Sequence, residues 1–245
     1  MHDTYDSVAA GRYSLIEIAG TTYEPGFRQL QALLMRCGDP KRVLDFGCGA
    51  GRSTRFASQL FPSAHVTGVD ISSEMLAHAR LADPNGDYRL AATGVPAHDG
   101  EFDVAVSTNV IVEIPTIEEL RRVTAEITRV VKAGGWLALM TGSEQSYRAT
   151  YSSFGYSVSN KIRDGLAAVC TIQSPDGDVV VQDTVWTTGT IRKTFEACGW
   201  RLSASRRPTA PENNGRWFRR VPPPFVVMLF SRPADPPSRT QIDFR

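Results

Sequence analysis

Short apolar runs alternate with amphipathic stretches along residues 41–141, and this alternation predicts the basic architecture of the chain. Each apolar run is followed by small or polar turn residues, as a buried strand is. The stretches between the runs carry apolar residues three and four positions apart, as helices packed on a sheet do. Strands are expected at 43–46, 65–70, 88–91, 101–106 and 136–140, and helices at 53–60, 73–81 and 116–132. This order predicts an α/β fold with a mostly parallel sheet and helices on both faces.

The flanking segments break the alternation and are predicted to be additions to this core. Residues 1–40 carry apolar side chains at helical spacing, which predicts one or two helices. Within residues 142–187, two strand-like runs enclose the turn 174–178, which predicts a β-hairpin. We therefore divide the chain into an N-terminal helical segment (1–40), a core (41–141 and 188–231), an insertion over the ligand crevice (142–187) and a flexible tail (232–245).

Three glycines at alternate positions, Gly47, Gly49 and Gly51, follow the first predicted core strand and precede a helix. Glycine allows positive φ and lets a ligand approach the backbone closely, and the first turn of a helix offers unpaired N–H groups. A strand, a glycine turn and a helix in this order predict a ligand site. The alternative is a turn that only joins the strand to the helix.

The spacing of the glycines separates two classes of ligand. The dinucleotide pattern G-x-G-x-x-G, set on Gly47 and Gly49, requires glycine at position 52, where Arg52 stands. Asp45 lies two residues before the first glycine. Its carboxylate suits a cationic sulfonium better than a phosphate, so Asp45 and the three glycines are candidate residues for a sulfonium-bearing ligand.

The heptad Asp45-Phe46-Gly47-Cys48-Gly49-Ala50-Gly51 resembles motif I of the class I S-adenosylmethionine-dependent methyltransferases. The resemblance implies a Rossmann-like, seven-stranded, mostly parallel sheet and S-adenosylmethionine as the cofactor. It also implies that residues 1–40 form a lid over the cofactor, with Arg12 or Tyr13 at its methionine end. Packing of these side chains within the lid helix is the alternative.

Asp70 closes the second predicted strand, where an acid accepts hydrogen bonds from a ribose diol. Its alternative role is to cap the next helix, but Ser72 fills that role more naturally. Ile71 resembles the apolar residue that lies against adenine in the family. The acid that the family commonly places before Pro96 is missing, and Ala91, Ala92 and Thr93 occupy the region. Backbone groups or Thr93 are therefore expected to recognise the adenine.

Polar residues after the fourth predicted strand are expected to face the crevice where α/β sheets bind ligands. Asn109 is assigned to the cofactor side, and Glu113 is a candidate catalytic residue whose alternative is a solvated acid. Tyr147 and Tyr151 in the insertion complete the catalytic candidates, the alternative being a small hydrophobic core. Gly134 and Gly135 are predicted to cap the preceding helix.

Charge and cysteine content narrow the class of protein. The 27 basic and 26 acidic residues leave a net charge of +1, so neither nucleic acid nor an anionic membrane is an expected partner. The 4 cysteines are scattered, which indicates neither a metal site nor a disulfide framework. No leader-like or membrane-spanning run is seen, so a cytoplasmic monomer or homodimer is expected.

The residues and the resemblance together predict a methyltransferase acting on a small molecule. The expected reaction is N- or O-methylation of an aromatic or peptide-derived metabolite, as in the bacterial tailoring enzymes of secondary metabolism that such chains resemble. Carbon methylation of an aromatic or indole-type product is the near alternative. Two alternatives of another class are a nicotinamide-dependent oxidoreductase and a cofactor-binding protein without catalysis.

Overall fold

Two β-sheets and six α-helices make up the computed structural model, which describes residues 6–158, 161–208 and 222–234. The described helices are α1 (Ser7–Ser14), α2 (Glu24–Leu34), α3 (Arg52–Leu60), α4 (Ser73–Ala82), α5 (Ile117–Val130) and α6 (Thr188–Ala197). The described strands are β1 (Arg42–Phe46), β2 (His65–Asp70), β3 (Asp87–Leu90), β4 (Phe102–Thr108), β5 (Val131–Gly142), β6 (Phe154–Ser157), β7 (Ala167–Ile172), β8 (Val179–Thr184), β9 (Arg201–Arg206) and β10 (Phe225–Ser231).

The large sheet has seven strands in the order β3-β2-β1-β4-β5-β10-β9. All neighbouring strands are parallel except β10, which pairs antiparallel with both β5 and β9. This sheet confirms the predicted Rossmann-like, mostly parallel fold. The strand order reverses between β1 and β4, and open α/β sheets bind ligands at such a point, beyond the carboxyl ends of the strands.

Alternate residues of the central strands pack against helices on opposite faces of the sheet. Val43 of β1 belongs to a core with Leu30 of α2 and Ala57 of α3. Its neighbour Leu44 belongs to a second core with Ile127 of α5. All five side chains are fully buried, because strand residues point alternately to the two faces and both faces are covered. This double cover holds the strand ends, and hence the glycine turn, in place.

The helix caps follow the sequence closely, with one correction. Ser72 caps α4 as predicted, since its hydroxyl accepts a hydrogen bond from the Met75 amide. The prediction that Gly134 and Gly135 cap a helix is wrong: α5 ends at Val130 and Val131 is already extended. Gly134, at φ 78°, lies within β5, and a Cβ on Gly135 would come within 2.8 Å of the Asp103 carbonyl. The glycines therefore allow a bulge in the β4–β5 pairing.

The insertion folds around a second, antiparallel sheet in the order β6-β7-β8. The predicted turn joins β7 to β8, and its tip contacts the N-terminal helix. Arg12 of α1 donates a hydrogen bond to the Asp178 carbonyl at 3.1 Å, and the Ser174 hydroxyl donates to the Arg12 carbonyl at 2.7 Å. The N-terminal segment and the insertion are thus attached to each other, and their role as a lid and a cap stays a prediction.

The first residues of the predicted flexible tail are attached to the sheet, which corrects its starting point. The Arg232 amide donates to the Gly135 carbonyl at 2.8 Å, and its guanidinium bonds to the carbonyls of Thr128 and Val131. Residues 235–245 lie outside the described residues. None of the described helices combines the length and the apolar content that crossing a bilayer requires.

Candidate active site

The three glycines of the turn all adopt positive φ, but they have different surroundings. A Cβ on Gly47 would lie 2.2 Å from Val110 Cγ2, and one on Gly51 would lie 2.6 Å from the Tyr88 hydroxyl. At Gly49 the nearest atom to such a Cβ is Tyr13 Cε1, at 3.8 Å. Gly47 and Gly51 are therefore required by packing, whereas Gly49 has open space above its backbone.

Asp70 joins the end of β2 to the glycine turn. Its Oδ2 accepts a hydrogen bond from the Gly49 amide at 2.7 Å, and its Oδ1 accepts one from the Ser72 amide at 2.9 Å. The carboxylate is half-buried and lies at the switch point of the sheet. Asp70 is therefore placed where the sequence predicts the acceptor for a ribose.

Asp45 is completely buried beneath the turn. Its Oδ2 accepts hydrogen bonds of 2.7 Å from both the Ser53 and Thr54 hydroxyls at the start of α3. Its Oδ1 is buried and has no hydrogen-bond partner among the described residues. Burial raises the pKa of this carboxyl to about 6. Asp45 thus fixes the start of α3, and its Oδ1 can still accept a hydrogen bond. Its role in cofactor binding stays a prediction.

A cavity of about 330 Å³ lies beside the end of β2, within the size range of roughly 300–1,000 Å³ that small-molecule sites have. It brings together the predicted adenine residues Ile71 and Thr93, with Phe46 from β1. Glu126 of α5 also lines it, which the sequence analysis did not anticipate. The Glu126 carboxylate accepts from the Val95 amide at 2.8 Å, and its ion pair with Arg129 lowers its pKa.

Asn109 stands at the end of β4 with φ 60°, a left-handed conformation that is uncommon for residues other than glycine. Its amide donates to the Met140 carbonyl at 2.8 Å, which fixes the chain as it leaves the sheet. The 3₁₀ turn Ile111–Glu113 follows directly. Backbone strain of this kind gathers at ligand sites, in agreement with the predicted position of Asn109 at the crevice.

A smaller cavity of about 30 Å³ lies between the large sheet, α1 and the insertion. We call it the acidic cavity. Three predicted site residues line it, namely Tyr13, Asn109 and Glu113, and the insertion contributes Tyr156, Cys170 and Asp183. The cavity is small: its volume admits only one or two water molecules.

Asp183 of β8 is a residue that the sequence analysis missed. Its side chain is 3% exposed, and the Tyr156 hydroxyl donates to its Oδ2 at 2.7 Å. Burial raises the pKa of this carboxyl to about 7. A signal was present in the sequence: Val179, Val181 and Asp183 occupy the same face of a strand whose apolar members are buried. An acid at an inward position is unusual enough to indicate a site.

Tyr147 and Tyr151 were predicted as catalytic, and the structure gives them a different setting. Tyr147 is 1% exposed and its hydroxyl donates to the Thr184 carbonyl at 3.3 Å. The Tyr151 hydroxyl donates to the Pro222 carbonyl at 2.8 Å, and neither residue is among those lining the acidic cavity. Backbone carbonyls accept from both hydroxyls, which favours the alternative of a packed core, and Tyr156 lines the cavity instead. The catalytic role of Tyr147 and Tyr151 stays a prediction.

Arg52, which breaks the dinucleotide spacing, holds the N-terminal segment against the turn. It lies 4.6 Å from the ring centre of Tyr23 and 5.4 Å from that of Tyr13, within cation–π range. Its guanidinium also donates to the Ile16 carbonyl at 3.0 Å and to the Tyr13 hydroxyl at 3.2 Å. Tyr13, one of the two residues predicted to meet the methionine end of the cofactor, is thereby fixed at the acidic cavity.

The residues present fit S-adenosylmethionine. The open space above Gly49 admits a ligand close to the backbone, and the buried Asp45 Oδ1 still lacks a donor among the described residues. On one side of the turn, the 330 Å³ cavity has the apolar walls that a nucleobase requires. On the other side, the acidic cavity offers carboxylates that favour a sulfonium over a phosphate.

Part of the chain is similar in sequence to known methyltransferases. Residues 43–135 match the model of a methyltransferase domain family. An uncharacterised methyltransferase of Synechocystis is 32% identical over 130 residues, covering 53% of this chain and 58% of that protein. A malonyl-[acyl-carrier protein] O-methyltransferase of Geobacter sulfurreducens is 30% identical over 167 residues, covering 65% of this chain and 58% of that protein. The chain thus spans less than two thirds of the length of either relative.

The likeness extends to solved structures. An S-adenosylmethionine-dependent methyltransferase from Mesorhizobium loti superposes with a TM-score of 0.62 over 88% of this chain and 100% of its own, at 22% identity. At that identity the superposition supports the fold alone. The match at residues 43–135 favours a methyltransferase domain over the nicotinamide alternative, in line with Arg52 at the position where a dinucleotide site requires glycine. Residues 43–135 thus match a methyltransferase domain family, and over a larger part of its length the chain is similar in fold to an S-adenosylmethionine-dependent methyltransferase.

Proposed function

We propose that the chain transfers a methyl group from S-adenosylmethionine to a nitrogen or oxygen atom of a small molecule. The observation that carries this proposal is the glycine turn, held by Asp70 at Gly49 and flanked by two cavities of different character. Phe46, before the turn, lines the 330 Å³ cavity. The space above Gly49 adjoins Tyr13, which lines the acidic cavity. A ligand with a nucleobase at one end and a cationic centre at the other matches this arrangement.

The proposed cofactor contacts follow from these positions. Ile71 and Thr93 would hold the adenine, and Asp70 would accept hydrogen bonds from the ribose. Gly49 would let the ligand lie against the backbone, and Gly47, Gly51 and Asp45 would support the turn. At the far end, Asn109 and Tyr13 would contact the methionine portion.

Catalysis by this site rests on positioning and on exclusion of water. When bound, S-adenosylmethionine supplies an electrophilic methyl group on a sulfonium. Holding an acceptor in line with that group contributes several kcal/mol toward the barrier. The acidic cavity is small, and an acceptor that fills it would displace water and so strengthen the electrostatic interactions within it. The methyl acceptor must also lose a proton to a nearby base. The carboxylates of Glu113 and Asp183 line the same cavity and are the candidates for this base.

Two observations bear on the acceptor atom. The Geobacter relative is named for O-methylation, which supports oxygen. The carboxylates of the acidic cavity support nitrogen, because an amine is a cation before it reacts. An aromatic or peptide-derived metabolite would place its reacting group among Tyr13, Tyr156 and the other rings of this cavity.

Two measurements test the proposal. Titration calorimetry of the purified protein should show binding of S-adenosylmethionine and no binding of NAD. The protein is then incubated with a bacterial metabolite extract and S-adenosylmethionine carrying a CD3 group, and products that gain the label are sought by mass spectrometry. Binding of NAD in preference would overturn the cofactor assignment. Binding of S-adenosylmethionine with no labelled product would identify a cofactor-binding protein without catalysis.

A further inference from the structure

We infer that the methyl acceptor is an amine and that Asp183 is the catalytic residue that removes its proton. This inference rests on the proposed methyl transfer and adds the substrate class and the base. Glu113 and Asp183 both line the acidic cavity, and its lining residues that the structure describes include no lysine, arginine or histidine.

The charges of the cavity select among acceptors. A carboxylate acceptor would place its negative charge beside the carboxyl groups of Glu113 and Asp183, which disfavours it. An ammonium group would bring the charge of opposite sign. Arg52 offers an anionic acceptor little compensation, because its guanidinium already lies over the rings of Tyr23 and Tyr13 and donates to the Ile16 carbonyl.

Asp183 differs from Glu113 in its surroundings. It is almost fully buried, and among the described residues the Tyr156 hydroxyl is the one hydrogen-bond donor to its carboxylate. The strand that carries it, β8, packs against the 3₁₀ turn that carries Glu113, at the end of β4 beyond Asn109. Asp183 therefore faces the reacting region from the insertion, opposite the sheet edge where the cofactor is proposed to lie.

The basicity of Asp183 suits deprotonation of an ammonium. An ordinary aspartate is about six pKa units less basic than an alkylamine. Burial raises the pKa of Asp183 to about 7, which closes about half of that gap. A base with a pKa near the working pH is the most effective proton acceptor.

The proposed reaction begins with a proton transfer. The Asp183 carboxylate takes one proton from R–NH3⁺ and becomes a carboxylic acid, which leaves a lone pair on nitrogen. That lone pair forms the N–CH3 bond while the C–S bond breaks and its electron pair remains on sulfur, giving a thioether and a methylated ammonium. The Asp183 proton then passes to solvent when the cavity opens.

Other titratable groups surround Asp183 and bear on its pH dependence. They are the phenols of Tyr13, Tyr23, Tyr147 and Tyr156 and the thiol of Cys170, whose pKa values burial raises, and the carboxyl of Glu113. The phenols and the thiol stay neutral near pH 7. Glu113 is the other carboxyl of the cavity, so Glu113→Gln is the matched control for Asp183→Asn.

The substrate class is tested with the CD3-labelling experiment on a metabolite extract, by fragmenting each labelled product to locate the label. The expected result is a CD3 group on nitrogen. A labelled ester or ether as the main product would overturn the amine inference while leaving the proposed methyl transfer intact. Absence of any labelled product would overturn both, and calorimetry with S-adenosylmethionine separates loss of cofactor binding from loss of transfer.

The base is tested on the amine product so identified, from the pH profile of kcat at saturating amine. The kcat of the wild type should fall at pH values below about 7, and we call this fall the acid limb of the profile. Asp183→Asn should lower kcat by about 10²-fold or more and remove this limb. Glu113→Gln should keep the limb. Tyr156→Phe should move it to higher pH, because the Tyr156 hydrogen bond lowers the pKa of Asp183. A purely structural role would produce no such movement.

Folding and cofactor binding are controlled separately. Asp183→Asn should unfold cooperatively and should still bind S-adenosylmethionine, since the glycine turn, Asp70 and the 330 Å³ cavity are unchanged. A wild-type kcat and an unchanged acid limb in a folded Asp183→Asn variant would overturn the assignment of the base.

Discussion

The carboxylate of Asp70 and the backbone amide of Gly49 are 2.7 Å apart, so the acid that ends β2 holds the glycine turn that follows β1. The other carboxylate oxygen accepts from the Ser72 amide at 2.9 Å. Asp70 thereby fixes the relative positions of two neighbouring strand ends and the start of α4. A side chain placed in this way arranges the turn and also presents acceptor lone pairs to the crevice.

Replacing Asp70 by Asn should weaken binding of S-adenosylmethionine by at least about tenfold, equivalent to roughly 1.4 kcal/mol. The charge that strengthens hydrogen bonds from ribose hydroxyls is lost, and the amide side chain holds the Gly49 N–H less strongly. Calorimetric titration measures the change. Asp39→Asn, at an exposed acid that pairs with Lys41, is the control and should bind as wild type does. Equal affinities of the two variants would contradict the assigned role of Asp70.

Gly47→Ala should destabilise the fold more than Gly20→Ala. Both positions have nearly the same φ, 73° and 71°, so both substitutions cost about 1–2 kcal/mol for the left-handed backbone. At Gly20 nothing lies within 4 Å of the added Cβ, whereas at Gly47 it meets Val110 Cγ2 at 2.2 Å. Overpacking of this kind costs about 1–3 kcal/mol more.

Urea unfolding of the two glycine variants gives the difference directly. The double variant Gly47→Ala with Val110→Ala should recover stability relative to the value expected from adding the two single changes. Simple additivity would show that the Gly47–Val110 contact is not the cause.

Gly49→Ala should leave stability close to that of Gly20→Ala and yet reduce binding of S-adenosylmethionine by at least about tenfold. The added Cβ has no neighbour closer than 3.8 Å in the protein, so it extends into the space assigned to the ligand. Unfolding and calorimetry on the same sample separate the two effects. Full retention of affinity would mean that the ligand does not approach the turn at Gly49.

Tyr147→Phe and Tyr151→Phe should each lower the free energy of unfolding by about 1 kcal/mol and leave cofactor affinity unchanged. Each substitution removes a hydroxyl that donates to a backbone carbonyl, Thr184 in one case and Pro222 in the other. Thermal unfolding and calorimetry measure the two quantities. A large drop in methyl transfer without loss of stability would restore the catalytic role that the structure argues against.

Asp183→Asn should make the protein more stable above pH 7 and change little at pH 4. Because burial raises the folded-state pKa from an unfolded value near 3.8 to about 7, the wild-type contribution is fully present below pH 3.8 and is lost as pH rises through 7. A shift of this size is worth at most about 4 kcal/mol. Urea midpoints across pH 4–8 test the sign, and a variant less stable than wild type at pH 8 would contradict it.

The core of the fold was predictable because its signals are local. Alternating apolar runs locate β1, β2 and β4, and the capping hydroxyl at Ser72 locates the start of α4. The glycine turn and Asp70 were predictable for the same reason, since their roles depend on spacing along the chain. By contrast, Gly134 resembled a helix cap because a bulge within a strand uses the same residue type at positive φ.

The acceptor side of the site was less predictable because its residues come from distant parts of the chain. Tyr13, Glu113 and Asp183 meet in one cavity only when α1, the end of β4 and β8 are packed together. The aromatic sequence of the insertion does not tell which tyrosine faces inward. The register of β6 and β7 places Tyr156 within reach of Asp183. The ring of Tyr147 packs against the ring of Tyr156, with the ring centres 4.6 Å apart.

The hydrogen bonds between α1 and the turn of the β7–β8 hairpin bear on how ligands enter and leave the site. Arg12 and the turn residues Ser174 and Asp178 join two covering segments that are far apart in sequence. Neither segment can swing outward alone without breaking these bonds. With the lid and cap roles proposed for these segments, entry of the acceptor and escape of the products would require both segments to be displaced together, and loss of α1 would remove these contacts from the hairpin.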